Sequence, residues 1–199
     1  MSRWRWTLVP LLAVWLLGGC GTTQVLPPPD PRDPVPVFVL DHGRHTSLVL
    51  PAPDGSLRRY AYGDWRYYAE RQTGIRQSLA ALVWPTPGAL GYQVLPGPAT
   101  PESVRTRVRV GIVELHQLFV ERERVDHLHA RLGAIIAQAG QRLETPEVDL
   151  VFVPHPTGYH LGHNSNQMLA AWLEELGCQV SRRPVLSGWR IGEGPDGRY

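Results

Sequence analysis

Pro36-Val37-Phe38-Val39-Leu40-Asp41-His42-Gly43-Arg44-His45-Thr46-Ser47-Leu48-Val49-Leu50-Pro51 decides the fold class of this chain. Two short apolar runs of β-branched and aromatic residues, 36–40 and 45–50, are separated by a turn at His42-Gly43-Arg44. Runs of this length bounded by turn residues read as strands. Pro53-Asp54-Gly55-Ser56 makes a second turn, and Leu57 to Gly63 a third strand with Tyr60 and Tyr62 on one face. Three strands joined by tight turns predict an antiparallel meander.

Beyond the meander the period changes. Gly74 to Val83 predicts a helix stopped by Pro85. Val104, Thr106, Val108, Val110 and Ile112 alternate with Arg105, Arg107 and Arg109, which predicts a half-exposed strand with a wet arginine face. Val125, Leu128, Leu132, Ile135 and Ile136 recur at helical spacing up to Gly140, leaving His127 and His129 solvated. A strand over 148–153, a helix over 166–176 and a last strand within 180–191 complete the pattern. Strands and helices mix without βαβ regularity, so the expected class is α+β, one antiparallel sheet with packed helices in a single domain over residues 37–199.

The segment before it sets the location. Arg3 and Arg5 precede an uncharged run, Thr7 to Leu17, and Leu17-Gly18-Gly19 leads into Cys20. The run is about half the ~20 residues of a spanning helix. It reads as a signal peptide over 1–19 with a lipobox, which would leave Cys20 as a lipidated first residue held in the membrane. Residues 20–36 carry six prolines after the lipid cysteine and predict a semi-rigid extended tether. By resemblance to enterobacterial sorting, in which aspartate after the lipid cysteine favours inner-membrane retention, Gly21 implies the outer membrane facing the periplasm.

Composition narrows the chemistry. All 20 basic residues are arginine, so a Schiff-base or general-base lysine is excluded. Losing Arg3 and Arg5 leaves 18 arginines against 18 acids, which gives no electrostatic footprint for nucleic acid. Cys178, the one cysteine besides Cys20, follows Gly177 at a helix end and reads as a buried apolar residue.

Two segments concentrate functional residue types: His42-Gly43-Arg44-His45-Thr46-Ser47, and Tyr159-His160-Leu161-Gly162-His163-Asn164-Ser165-Asn166-Gln167-Met168. One opens a strand with histidine; the other opens a helix with a hydroxyl. Free N–H groups at a helix start can stabilise an oxyanion beside a nucleophile, and an imidazole on an adjacent strand can serve as base. The alternative is that Asn164 or Ser165 caps the helix and His45 is a hydrogen-bonded strand residue. His42, His45, His155, His160 and His163 also make a candidate ligand set, zinc being the ion histidine suits best.

These motifs resemble an uncharacterised family of bacterial envelope lipoproteins. That family carries His-Gly-Trp-His-Thr-Gly near the domain start, a Gly-Asp pair after the third strand, and Asn-Thr-Cys-Asn-Thr-Trp opening a late helix. His42 to Ser47, Tyr62-Gly63-Asp64 and His163 to Met168 match the three in turn. The family is similar to the circularly permuted branch of the NlpC-type, papain-like superfamily. The resemblance implies His45 as base, Asp64 as its orienter and Ser165 in the nucleophile position, with a cleft formed by His42, Tyr159, His160, His163, Asn164 and Asn166. It implies hydrolysis of an amide or ester in the envelope, such as a peptidoglycan peptide. Serine stands where the family has cysteine, and a serine hydroxyl does not ionise as a thiol does. A catalytically silent domain that binds an envelope ligand or partner is therefore the competing expectation, and a histidine metal site the third.

Overall fold

The computed structural model describes residues 22–43, 45–69, 85–184 and 188–192. Its centre is the predicted meander. Strands β2 (Pro34–Asp41), β3 (Thr46–Pro51) and β4 (Leu57–Asp64) pair antiparallel in succession. The sheet extends on both sides, with β5 (Thr86–Leu95), β6 (Glu114–Glu121), β7 (Leu143–Thr145) and β8 (Leu150–Tyr159), in the order β6-β2-β3-β4-β5-β8-β7. Every pairing in it is antiparallel. The chain is an α+β protein.

Strands β2, β3 and β4 bury both faces. Val35, Val37, Val39, Leu48, Leu50, Tyr60 and Tyr62 join one core with helices α2 (Arg122–Gln138) and α3 (Ser165–Glu175). Phe38, Leu40, Val49, Leu57 and Leu95 pack on the opposite face with Val104 of helix α1 (Pro101–Arg107) and Val108, the residue that caps its end. The near-continuous apolar runs of β2 and β3 thus reflect a sheet covered on both sides. Ala61, Trp65, Ala89, Leu150 and Phe152 form a third cluster. There Gly91 lies opposite Phe152 in register, and a Cβ on it would come within 2.7 Å of the Phe152 ring.

Four expectations change. The strand predicted over 104–112 begins in helix α1. Thr100 caps it by accepting from Ser103 N at 3.2 Å, and Pro101 opens it. Val104 and Val108 are the buried pair, at i,i+4, so the two-residue alternation coincided with a helical face. Strands β5 and β6 and the short β7 were not foreseen. His129 is not solvated: Nε2 donates to Pro51 O at 2.8 Å, and Nδ1 lies 3.0 Å from Tyr60 Oη. The helix expected over 74–83 lies outside the described residues.

The fourth change concerns the tether expected over 20–36. Thr23–Leu26 is strand β1, the middle strand of a second sheet, between β9 (Gln179–Val180, antiparallel) and β10 (Trp189–Ile191, parallel). Thr23 and Val25 are fully buried. Thr23 therefore already lies within the folded domain, and so do the prolines of 27–36: Pro27 is buried and Pro34 opens β2. Proline density marked missing backbone donors, which an irregular connection tolerates as well as a tether does. Helix α3 ends at Gly177, whose φ of +89° suits glycine; Gly177 N donates to Glu174 O and Cys178 N to Leu173 O. Among the described residues no helix is long and apolar enough to cross a membrane.

Candidate functional site

The two motif segments meet at one buried hydrogen bond. Thr46 Oγ1 donates to Asn166 Oδ1 at 3.2 Å, tying the start of β3 to the start of α3. Asn164 is the N-cap of that helix, its Oδ1 accepting from Asn166 N at 3.0 Å and Gln167 N at 3.1 Å. Ser165 is the first helical residue and is only 6% exposed.

Alternation along β3 then separates the expected pair. Thr46 points toward α3, so its neighbours His45 and Ser47 leave the chain on the other side. The His45 ring stacks on His42, centroids 5.1 Å apart, and lines a small pocket with Ala61, Val148, Leu150 and Phe152, reached also by Thr46 and Tyr62. Among the described residues no hydrogen bond joins Ser165 to His45. Burial lowers the His45 pKa, the Arg59 charge adds to this, and Asp41 opposes it. The carboxylate acting on His45 is thus Asp41, whose Oδ1 accepts from Gly43 N at 2.6 Å. Asp64, the expected orienter, instead accepts from Tyr67 N at 2.9 Å and from Thr86 Oγ1, which seats the turn after β4. Asp41 directly precedes the first motif, and that adjacency was the available sequence signal.

A polar network that sequence reasoning missed underlies the His42–His45 stack. Arg59 is fully buried in β4. Its Nε donates to Ser47 Oγ at 3.1 Å, and its Nη1 to Val148 O at 3.1 Å and Gln93 Oε1 at 3.3 Å. Gln93 in turn donates to Asp149 at 2.6 Å. His42 Nδ1 lies 2.8 Å from Gly111 O. A carbonyl only accepts, so Nδ1 carries the proton and Nε2 accepts, from Ser47 Oγ at 2.9 Å and Arg59 Nη2 at 3.3 Å. Burial chiefly lowers His42 to about 4, Arg59 and His45 adding to it and the Gly111 bond opposing. Burial lowers Arg59 to about 10, so it stays charged near neutrality. Ser47 and His42 have the hydrogen-bond order of a hydrolase dyad, yet Ser47 is fully buried. The relay satisfies the buried guanidinium and offers a substrate no approach to the hydroxyl.

The remaining candidates gather around Tyr62. Its hydroxyl donates to Gly158 O at 2.9 Å or Thr157 O at 3.1 Å. His155 and His163 meet its ring edge-on at 5.0 and 5.3 Å, and Tyr159 lies 5.9 Å away. His163 Nδ1 donates to Gly158 O at 3.0 Å, and His160 and His163 exchange backbone hydrogen bonds. His160 Nδ1 accepts from Gly162 N at 3.1 Å. His155 Nδ1 accepts from Thr157 N, and burial lowers it to about 4. Burial raises Tyr62 to about 12 and raises Tyr159, the latter helped by Asp64 and Tyr67.

The five histidines therefore divide into His42 with His45 and, around Tyr62, His155, His160 and His163. Among the described residues no group of three or more His, Cys, Asp or Glu side chains could hold a metal ion. Cys178 is buried, and burial raises its thiol to about 12, against reactivity. Comparison with protein-family models, curated proteins and solved structures gives no match to this chain.

Proposed function

We propose that this chain is a lipid-anchored protein of the bacterial envelope, held at the outer membrane through Cys20 and facing the periplasm. Its domain is read as a permuted papain-like fold that binds an envelope component, such as a peptidoglycan peptide, without hydrolysing it. Support for the fold reading comes from the order of histidine strand, then late helix, and from the Thr46–Asn166 bond that joins their starts. The observation that carries the non-catalytic reading is the side-chain parity of β3. Thr46 faces α3 while His45 stacks on His42, so among the described residues no imidazole is hydrogen-bonded to the Ser165 hydroxyl as a base would be.

The helix start then works as a capped, buried joint. The partly exposed rim formed by Tyr159, His160 and His163, with Leu161 43% exposed, offers aromatic faces and polar edges to a ligand. A fluorophosphonate probe tests the reading. The mature protein should stay unlabelled, while cosedimenting with purified peptidoglycan in a manner weakened by Tyr159→Ala. Stoichiometric labelling abolished by Ser165→Ala would restore the hydrolase in its place.

A further inference from the structure

The residues between the lipid and the fold are too few to act as a spacer. Strand β1 is locked on both sides from its first residue. Thr23 N donates to Gly188 O at 2.8 Å, Gln24 N to Ser181 Oγ at 3.0 Å, Ser181 N to Gln24 O at 2.9 Å, and Gly192 N to Val25 O at 2.9 Å. Only Gly21 and Thr22 lie between Cys20 and Thr23, and the three Cα–Cα steps span about 11 Å when fully extended. A free polyproline-like tether over 20–36 would reach roughly 50 Å. A domain of this size has a radius of gyration of about 15 Å, so the shorter link brings its surface to the headgroups.

We infer that, on the reading that Cys20 is lipidated, the domain lies directly on the phospholipid surface with the Thr23 end of β1 facing it. The register identifies that face. Val25 pairs with Val180 and Leu26 with Gln179, so the chain leaving β9 runs as Ser181, Arg182 and Arg183 beside the start of β1. Arg190 lies opposite Gln24 in β10. All three arginines are exposed. Glu174 pairs with Arg183 at 2.7 Å, and Arg182 and Arg190 bring two further guanidinium groups to this face. Anionic headgroups complement that charge, and the attraction falls off within a Debye length of about 8 Å. A tether some 50 Å long would not hold the arginines near that range; a link of at most about 11 Å does. Helix α1, on the far side of the large sheet from α2 and α3, points away from the bilayer.

The test uses the full-length lipoprotein, purified from membranes and reconstituted in phosphatidylethanolamine–phosphatidylglycerol vesicles containing a headgroup-linked quencher. In a Cys178→Ala background, a fluorophore is placed by Arg182→Cys or by Arg105→Cys on α1; Arg190→Cys replaces Arg182→Cys should that variant misfold. The Arg182 probe should be quenched at least about twofold more than the Arg105 probe. A 15-residue Gly/Ser insert between Gly21 and Thr22 should abolish the difference. Equal quenching at the two positions with the natural link, or a difference that survives the insert, overturns the proposal. Mass spectrometry of the same samples reports the acyl chains on Cys20: unmodified Cys20 defeats the lipoprotein reading itself, whereas acylated Cys20 with equal quenching defeats only the docked orientation.

Discussion

Replacing His42 with glutamine should flatten the acid dependence of stability by an amount the structure sets. Burial holds folded His42 near 4, while in the unfolded chain a histidine titrates at about 6.5. Between those values the unfolded state binds the proton that the folded state refuses, so stability falls as pH drops through that window and is fully present above it. Linkage gives a loss of about 2 kcal/mol from His42 between pH 8 and pH 5, approaching about 3 kcal/mol near pH 4. His42→Gln removes the titrating group but keeps an amide that can donate to Gly111 O. It should lower stability at pH 8, through the lost stacking on His45 and a poorer bond from Ser47. Urea titrations followed by tryptophan fluorescence at pH 8 and pH 5 would measure both proteins. The difference between wild type and variant should shrink by about 2 kcal/mol at the lower pH. His155, also held near 4, titrates in both and cancels in the comparison. Parallel losses in the two proteins would refute the reasoning, because His42 would then be protonated as readily folded as unfolded.

Ser165→Cys should introduce a thiol whose iodoacetamide reactivity rises at or above the ordinary pKa of about 8.5, since among the described residues no imidazole is hydrogen-bonded at that position; a thiolate formed well below that, and lost with His45→Ala, would assemble the dyad after all. Asn164→Ala removes the acceptor of two helix N–H groups and should cost about 1 kcal/mol in urea unfolding. Gly88→Ala would drive a Cβ into the Thr157 carbonyl, which is backbone and unable to yield, so thermal unfolding should show a loss of at least about 2 kcal/mol. Cys20→Ser should leave an uncleaved precursor that takes up no fatty-acid analogue during metabolic labelling; equal labelling of both proteins refutes lipidation at that residue.

Local pattern carried much of this fold. The meander, helix α2 and helix α3 were readable because their apolar residues recur at the period of the element they form and are bounded by turn or cap residues: Gly43, Gly55, Asn164 and Gly177 stand at such boundaries. Helix α1 misled because Val104 and Val108 satisfy a two-residue and a four-residue spacing at once; the capping of Thr100 settled it. The candidate residues were named without their arrangement. Sequence places His45 next to Thr46, and their adjacency says nothing of which one faces α3. That choice came from packing: Thr46 found Asn166, and the pleat sent His45 to the other side, onto His42. Arg59 is one of 20 arginines in the sequence, and only the burial of β4 between two covered faces made it a charge in need of Ser47, Gln93 and the Val148 carbonyl. The proposed signal and the lipidation proposed at Cys20 rest on linear order alone. The fate of Thr23–Leu26 depends on strand partners that lie 155 and 166 residues away in the chain, Val25 with Val180 and Thr23 with Trp189, and non-local pairing of that kind leaves no period behind it.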